Sequence, residues 1–195
     1  MDIEKYHTLL PLFDELQGER VMIRPYRESD TQALMEAINE SRDHIRPWLG
    51  FADAHQTVEE SRDWIIQQQA KFLLREDMTL GLVDKANDRL IGGIGLHIRN
   101  WKARSFEIGY WLRVSATGHG YVTEAVKLLT EYVFTQLAAN RIEIRCDARN
   151  THSAAVAQRL GFILEGRLRN QGIDTSGGLR DTLIFALIPS DKRFP

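Results

Sequence analysis

The longest unbroken alternation in the chain runs from Arg141 to Ala148. Ile142, Ile144, Cys146 and Ala148 fall on one side; Arg141, Glu143, Arg145 and Asp147 fall on the other. A period of two predicts a strand with one face buried. Just upstream the period changes. Val122, Ala125, Val126, Leu129, Val133 and Leu137 recur three and four apart, the stripe of an amphipathic helix. Near the start, Glu19 to Arg24 alternates and reads as a strand stopped by Pro25. Ser29-Asp30-Thr31-Gln32 is a capping-box pattern that opens a helix through about Ser41, and Arg46-Pro47-Trp48-Leu49-Gly50 breaks it. Thr57-Val58-Glu59-Glu60 is a second capping box, opening a helix to about Leu74. Leu80 to Val83 and Arg89 to Leu96 predict a hairpin around Ala86-Asn87-Asp88, and Ser105 to Arg113 a further strand. A short helix is expected from about Thr151 to Leu160, ended by Gly161. Phe162 to Leu168 and Leu179 to Ile188 read as closing strands.

Helices and strands mixed in this order predict one layered α/β (α+β) domain over residues 1–195, with residues 1–17 as an N-terminal extension carrying a short helix. A length of 195 residues fits one domain, and 43% hydrophobic with 27% charged residues is ordinary for a globular protein. The net charge of −2 gives no support for a nucleic-acid surface. Cys146 is the single cysteine, which excludes an internal disulfide and favours a reducing compartment. The N-terminus lacks a signal-peptide pattern and no apolar run has membrane-spanning length, so a cytoplasmic protein without a membrane partner is expected. His7, His44, His55, His97, His119 and His152 show no metal-ligand spacing on a predicted helix, so no metal is expected.

The chemistry concentrates where the strand ending near Arg113 meets the long helix. Val114-Ser115-Ala116-Thr117-Gly118-His119-Gly120 joins them, and no Ser, Asp or Asn stands at the helix N-cap. Unpaired N–H groups of a first helical turn, reached through glycines, make an anion site. The phosphate loop of NTPases is excluded, because Gly120 is followed by Tyr121 and Val122 rather than Lys and Ser or Thr. The dinucleotide fingerprint is excluded by Thr123 in place of its third glycine. A tight turn into a core helix is the rival reading of the same residues.

Together these pieces resemble the GNAT acetyltransferases, and within them the branch that acetylates N-termini of ribosomal proteins. The resemblance rests on Gly109-Tyr110-Trp111-Leu112, Gly118 to Ala125, Asn150 to Phe162 and Glu165-Gly166, with Arg46-Pro47-Trp48 and Arg180-Asp181 as further landmarks. It covers about Glu19 to Ile188. It implies a mixed, mostly antiparallel sheet with splayed middle strands, helices on both faces, and acetyl-CoA in the gap. Backbone N–H groups of Gly118, His119, Gly120, Tyr121, Val122 and Thr123 would hold the pyrophosphate, and Trp111, Leu112 and Arg113 would line the pantetheine. Asn150 would both cap its helix and contact pantetheine, and Ser153 would give a proton to the CoA sulfur. Against that role, Ser153 would be one more first-turn residue of a helix capped by Asn150. The family loop reads Gln/Arg-x-x-Gly-x-Gly/Ala. Thr117 and Val122 depart from it, and Thr117 removes one polar contact.

The base is open at this point. Some members of the branch carry a Glu where this chain has Gly172, and the remaining carboxylates nearby are Glu107 and Asp174. Glu107, on the strand before the loop, is the candidate base, with a salt bridge on the sheet as its rival. Trp48 and Trp64 flank the region that shapes the acceptor pocket in the family, and core packing is the reading for Trp64. The expected function is transfer of acetyl from acetyl-CoA to a protein or peptide N-terminal α-amine. A small-molecule amine, or a non-catalytic acyl-CoA-binding module, are the alternatives. The oligomeric state stays open, a homodimer included.

Overall fold

The computed structural model describes residues 3–191. Its strands are β1 (Leu16–Gln17), β2 (Val21–Pro25), β3 (Asp77–Asp84), β4 (Arg89–Asn100), β5 (Ser105–Leu112), β6 (Arg141–Asp147), β7 (Ile163–Ile173) and β8 (Leu179–Leu187). Its helices are α1 (Ile3–Tyr6), α2 (Thr31–Ile45), α3 (Val58–Leu74), α4 (Tyr121–Thr135) and α5 (Thr151–Arg159). The strands form one sheet in the order β1-β2-β3-β4-β5-β6-β8-β7. Every neighbouring pair is antiparallel except β5 and β6.

Alternation sorts the strand residues onto two faces. Val21, Ile23, Ile94, Leu96, Phe106, Ile108, Ile142 and Ile144 pack with Val126, Leu129 and Val133 of α4 and Ala157 of α5. On the other face Leu34, Ala37 and Ile38 of α2 and Ile65 of α3 close over Tyr26, Leu90 and Trp111. The stripe on α4 is what fixes this helix: Val126, Leu129 and Val133 are fully buried, each burial contributing about 1.5–3 kcal/mol. Leu137 follows the helix end and is also buried.

The second capping box forms as expected. Thr57 Oγ1 accepts from Glu60 N at 3.1 Å, and Glu60 Oε2 accepts from Thr57 N at 3.0 Å. The first does not. Asp30 is drawn back to Arg27 N at 2.7 Å and to Arg24 at 2.6 and 2.8 Å, so a 3₁₀ turn over Glu28–Asp30 precedes α2 and Ser29 caps nothing. The helix then runs to Ile45, a turn past Ser41, because Ile45 is buried with Ile38 and extends the same face. Strands β3, β4 and β7 are also longer than the sequence pattern suggests. In β7 an irregularity between Leu168 and Gly172 lets pairing resume at Gly172↔Arg180. The N-terminal extension is tied down: β1 pairs with β2, and Phe13 meets Phe72 and Tyr132 edge-on at 5.7 and 4.7 Å.

The parallel contact is the functional feature of the sheet. β5 and β6 pair only at Ser105↔Arg141, Phe106↔Ile142 and Glu107↔Glu143. Beyond Glu107 they splay, leaving one edge of β5 unpaired opposite Ile144–Asp147.

Candidate active site

The splay opens a cavity of about 1680 Å³ that reaches from the loop before α4 across the sheet to β4 and β8. At one end lies the glycine loop. Gly118 and Gly120 both adopt left-handed backbone, with φ of 81° and 80°. A side chain at either would be strained, whatever space surrounds it. Gly120 is the N-cap of α4 and offers no side-chain acceptor, so the N–H groups of the first turn have no intrahelical partner. They carry the positive end of the helix dipole. These features fit a pyrophosphate. Thr117 adds no free donor there, because its hydroxyl donates to Val114 O at 2.8 Å.

The loop is held from the sheet. Glu124 Oε1 accepts from Arg20 N at 2.7 Å and Val21 N at 3.2 Å, and its Oε2 takes Arg20 Nε at 2.9 Å. Burial pushes the Glu124 carboxyl up, but the bonds from Arg20 outweigh it and leave the group below its ordinary range. Arg20 Nη1 also donates to His119 O at 2.8 Å, and the guanidinium lies 5.5 Å from the Tyr121 ring centre. One arginine, just ahead of β2, thus joins the loop to the first turn of α4.

Inside the gap, Asn150 caps α5 by accepting from Ser153 N at 3.0 Å. That bond fixes Ser153 in the first turn with its hydroxyl 3.0 Å from the Tyr110 hydroxyl. Tyr110 also donates to Ser153 O at 3.1 Å. Burial raises the Tyr110 phenol well above its ordinary value, against the opposing bond from Ser153, so it stays protonated. Burial likewise raises the Cys146 thiol beside Ser153.

The opposite face of the gap carries charge. Glu107 Oε2 accepts from Arg99 Nε at 3.0 Å and Nη2 at 2.5 Å, and Arg145 Nε lies 4.0 Å away. Across from Glu107 in the β4–β5 register stands His97, whose Nδ1 is 2.7 Å from Asp77 Oδ1. Trp48 lines the cavity, whereas Trp64 packs in the core, edge-on to Tyr26 at 5.3 Å and His55 at 5.1 Å.

Trp111, Leu112, Gly118, Gly120, Tyr121, Val122, Thr123, Asn150, Ser153 and Glu107 therefore all border this one cavity. His119 is not among the residues that line it; its ring stacks on Tyr121 at 5.7 Å. Arg113 does not border the cavity. The strand ends at Leu112, and the buried Arg113 side chain turns away to Glu40 at 3.0 Å. Sequence reasoning missed Arg20, Tyr110 as the partner of Ser153, and the Asp77–His97 pair. Tyr110 stands in the Gly109-Tyr110-Trp111-Leu112 motif, but its partner lies on a distant helix. Among the described residues no group of three or more His, Cys, Asp or Glu gathers into a metal site, and no helix is long and apolar enough to cross a membrane.

Comparison with known proteins gives the class. The family profile described as "Acetyltransferase (GNAT) domain" matches residues 20–163. The Bacillus subtilis (strain 168) protein named "Probable N-acetyltransferase YjcK" is 32% identical over 182 residues, which are 91% of this chain and 99% of that protein. The ribosomal-protein-serine acetyltransferase of Escherichia coli (strain K12) is 28% identical over 152 residues, 78% of this chain and 84% of that protein. The solved structure of Mycobacterium smegmatis RimJ in complex with CoA-disulfide superposes with a TM-score of 0.83 at 25% identity, covering 92% of this chain and 90% of that one. The chain belongs to the GNAT acetyltransferase family. It is an N-acetyltransferase by that membership, with acetyl-CoA as co-substrate.

Proposed function

We propose that this enzyme acetylates the N-terminal α-amine of a protein or peptide, a ribosomal protein being the first candidate. One observation carries the reading: the gap between β5 and β6 joins a helix-start anion cradle to the Ser153–Tyr110 hydroxyl pair. Backbone N–H groups of Gly118 to Thr123 receive the pyrophosphate of acetyl-CoA, and the unpaired edge of β5 from Trp111 to Leu112 lies along the pantetheine. A backbone N–H on that edge polarises the thioester carbonyl as its oxygen gains charge. Tyr110 holds the Ser153 hydroxyl in place at 3.0 Å, and the serine proton is the one given to the departing sulfur. Asn150 positions Ser153 through its cap. Thr117 leaves the backbone to carry the phosphate contact by itself.

Glu107 faces the acceptor side, but one of its carboxylate oxygens already receives two bonds from Arg99. Its role in this reading is to attract the incoming ammonium rather than to hold its proton. The choice of an α-amine rests on cost. At pH 7, deprotonating an α-amine costs about 1.4 kcal/mol and a lysine amine about 4.6 kcal/mol. Likeness to the E. coli ribosomal-protein-serine acetyltransferase supports the same acceptor class. The single cysteine suits a reducing compartment, and we place the reaction in the cytoplasm, with residues 1–195 acting as one transferase domain. Free CoA released in the presence of N-terminal peptides, amino acids, polyamines and aminoglycosides measures the choice. Turnover is expected with the peptides; turnover confined to the small amines would move the acceptor class, and acetyl-CoA binding without turnover on any of them would leave a binding module.

A further inference from the structure

We infer that His97, oriented by Asp77, is the group that takes the proton from the incoming amine; this rests on amine acetylation in the β5–β6 gap. Alternation along β5 puts Phe106, Ile108 and Tyr110 on the α4 and α5 face, where Tyr110 meets Ser153. Glu107 and Gly109 fall on the other face, and His97 pairs with Glu107 in register. The proton donor and His97 therefore flank the gap from opposite sides, which suits attack on a carbonyl from one side and departure of sulfur toward the other.

Two glycines make the room in which the imidazole lies. A Cβ on Gly95 would sit 2.9 Å from His97 Nε2, and one on Gly109 would sit 3.1 Å from it. The ring therefore lies across β4 and β5 with Nε2 toward the splay, and it borders the cavity. Its side chain is 37% exposed. Asp77 sets the tautomer. Burial pushes the Asp77 carboxyl up, but the bond from His97 and its charge, with a 3.0 Å bond from Thr79, hold it below the ordinary range. An ionised Asp77 only accepts, so Nδ1 carries the hydrogen, and in the neutral imidazole Nε2 is the nitrogen that holds the lone pair. The bond to Asp77 raises the imidazole, outweighing burial; Asp77 and Glu107 add to the rise and Arg99 opposes it. Lys71 of α3 acts on Asp77, and Arg145 of β6 stands against Glu107. A raised imidazole is better matched to an α-amine, whose own value is about 8.

The step balances. The ammonium gives one proton to Nε2, which passes it to water. The amine nitrogen then bonds to the thioester carbon and the C–S bond breaks, its electron pair leaving on sulfur. Ser153 gives sulfur a proton, and the second amine proton, lost as the amide forms, restores the serine. Amide, CoA thiol and one proton in water are the products.

The test is a pH series of kcat/KM on wild type, His97→Gln and Asp77→Asn, each first shown to bind CoA with the wild-type thermal shift. His97→Gln is expected to lose about 10²-fold or more at pH 7, the range for a positioned base. The loss should narrow to under about tenfold at pH 9, where the amine is largely free. Asp77→Asn should lose less and shift the rising limb of the profile to lower pH, because a positioning carboxylate acts through the imidazole. Should wild type turn over peptides while His97→Gln stays within threefold at pH 7, with chemistry rate-limiting, the assignment is overturned and the acceptor reading stands. Should wild type turn over only small amines, the acceptor reading fails, and the same variants decide His97 on that substrate.

Discussion

Ser153 and Tyr110 are where a single atom should matter most. Ser153→Ala removes the hydroxyl but keeps the helix cap, since Asn150 bonds the backbone N–H rather than the side chain. Its kcat is expected to fall by about 10²-fold or more with little change in the KM for acetyl-CoA, because the proton is needed as charge builds on sulfur. Steady-state kinetics with chemistry confirmed as rate-limiting decides between acid and mere cap neighbour. The place of Ser153 at the start of α5 was legible because Asn150, Gly161 and Phe162, which flank that helix, keep a recognisable spacing; its role came from the resemblance. His97 was not legible: Asp77, which gives the ring its orientation, belongs to a different strand, and nothing local marks the pair. The course of the Arg113 side chain was hidden for the same kind of reason. Position along a strand says nothing of a side chain that turns to Glu40 on another element.

At the scale of elements, the loop before α4 is expected to bind by backbone alone. Acetyl-CoA at 100 times its dissociation constant should stabilise the fold by about 2.7 kcal/mol. Gly120→Asp should erase this shift, since the residue stands at φ 80°, where a side chain is strained, and a negative charge beside the loop opposes phosphate binding. Differential scanning fluorimetry with CoA reads the result, and a shift equal to wild type would contradict the loop assignment. Leu129→Ala, by contrast, should lower stability by about 2–5 kcal/mol, because Leu129 is fully buried between α4 and the sheet. The stripe on α4 and the alternation of β6 were plain in the sequence, since each repeats one period without interruption. The start of α2 was not, because the buried Arg24 competes for Asp30 and shifts the cap. The alternation of β7 ends in the sequence at the polar run Arg169-Asn170-Gln171, whereas pairing with β8 resumes beyond it at Gly172↔Arg180.

For the whole molecule, charge predicts how stability depends on pH. The bond from Arg149 holds the Asp147 carboxyl below its ordinary range, and Asp77 and Glu124 also lie low, their bonds outweighing burial. Depressed carboxylates contribute stability that is full above the unfolded value of about 4 and is lost as pH falls through the folded values. His97 is raised by Asp77, so its contribution is full below about 6.5 and is lost as pH rises through its folded value. Urea midpoints should therefore peak between about pH 4 and 6.5, and Asp77→Asn should flatten the alkaline decline. The layered fold itself was legible, because alternation and helical stripes report which faces are buried. The splay was not read from pattern, since β5 and β6 alternate correctly whether or not they pair beyond Glu107; only the resemblance implied it. What that splay is for is tested most directly by one measurement. A peptide with a free N-terminus and an internal lysine is incubated with acetyl-CoA and enzyme, and fragment-ion mass spectrometry locates the acetyl group. The α-amine alone should carry it, with a rate that rises through about pH 7 to 8 and no turnover once the N-terminus is blocked. An acetyl group on the lysine, with the N-terminus unmodified, would contradict the account.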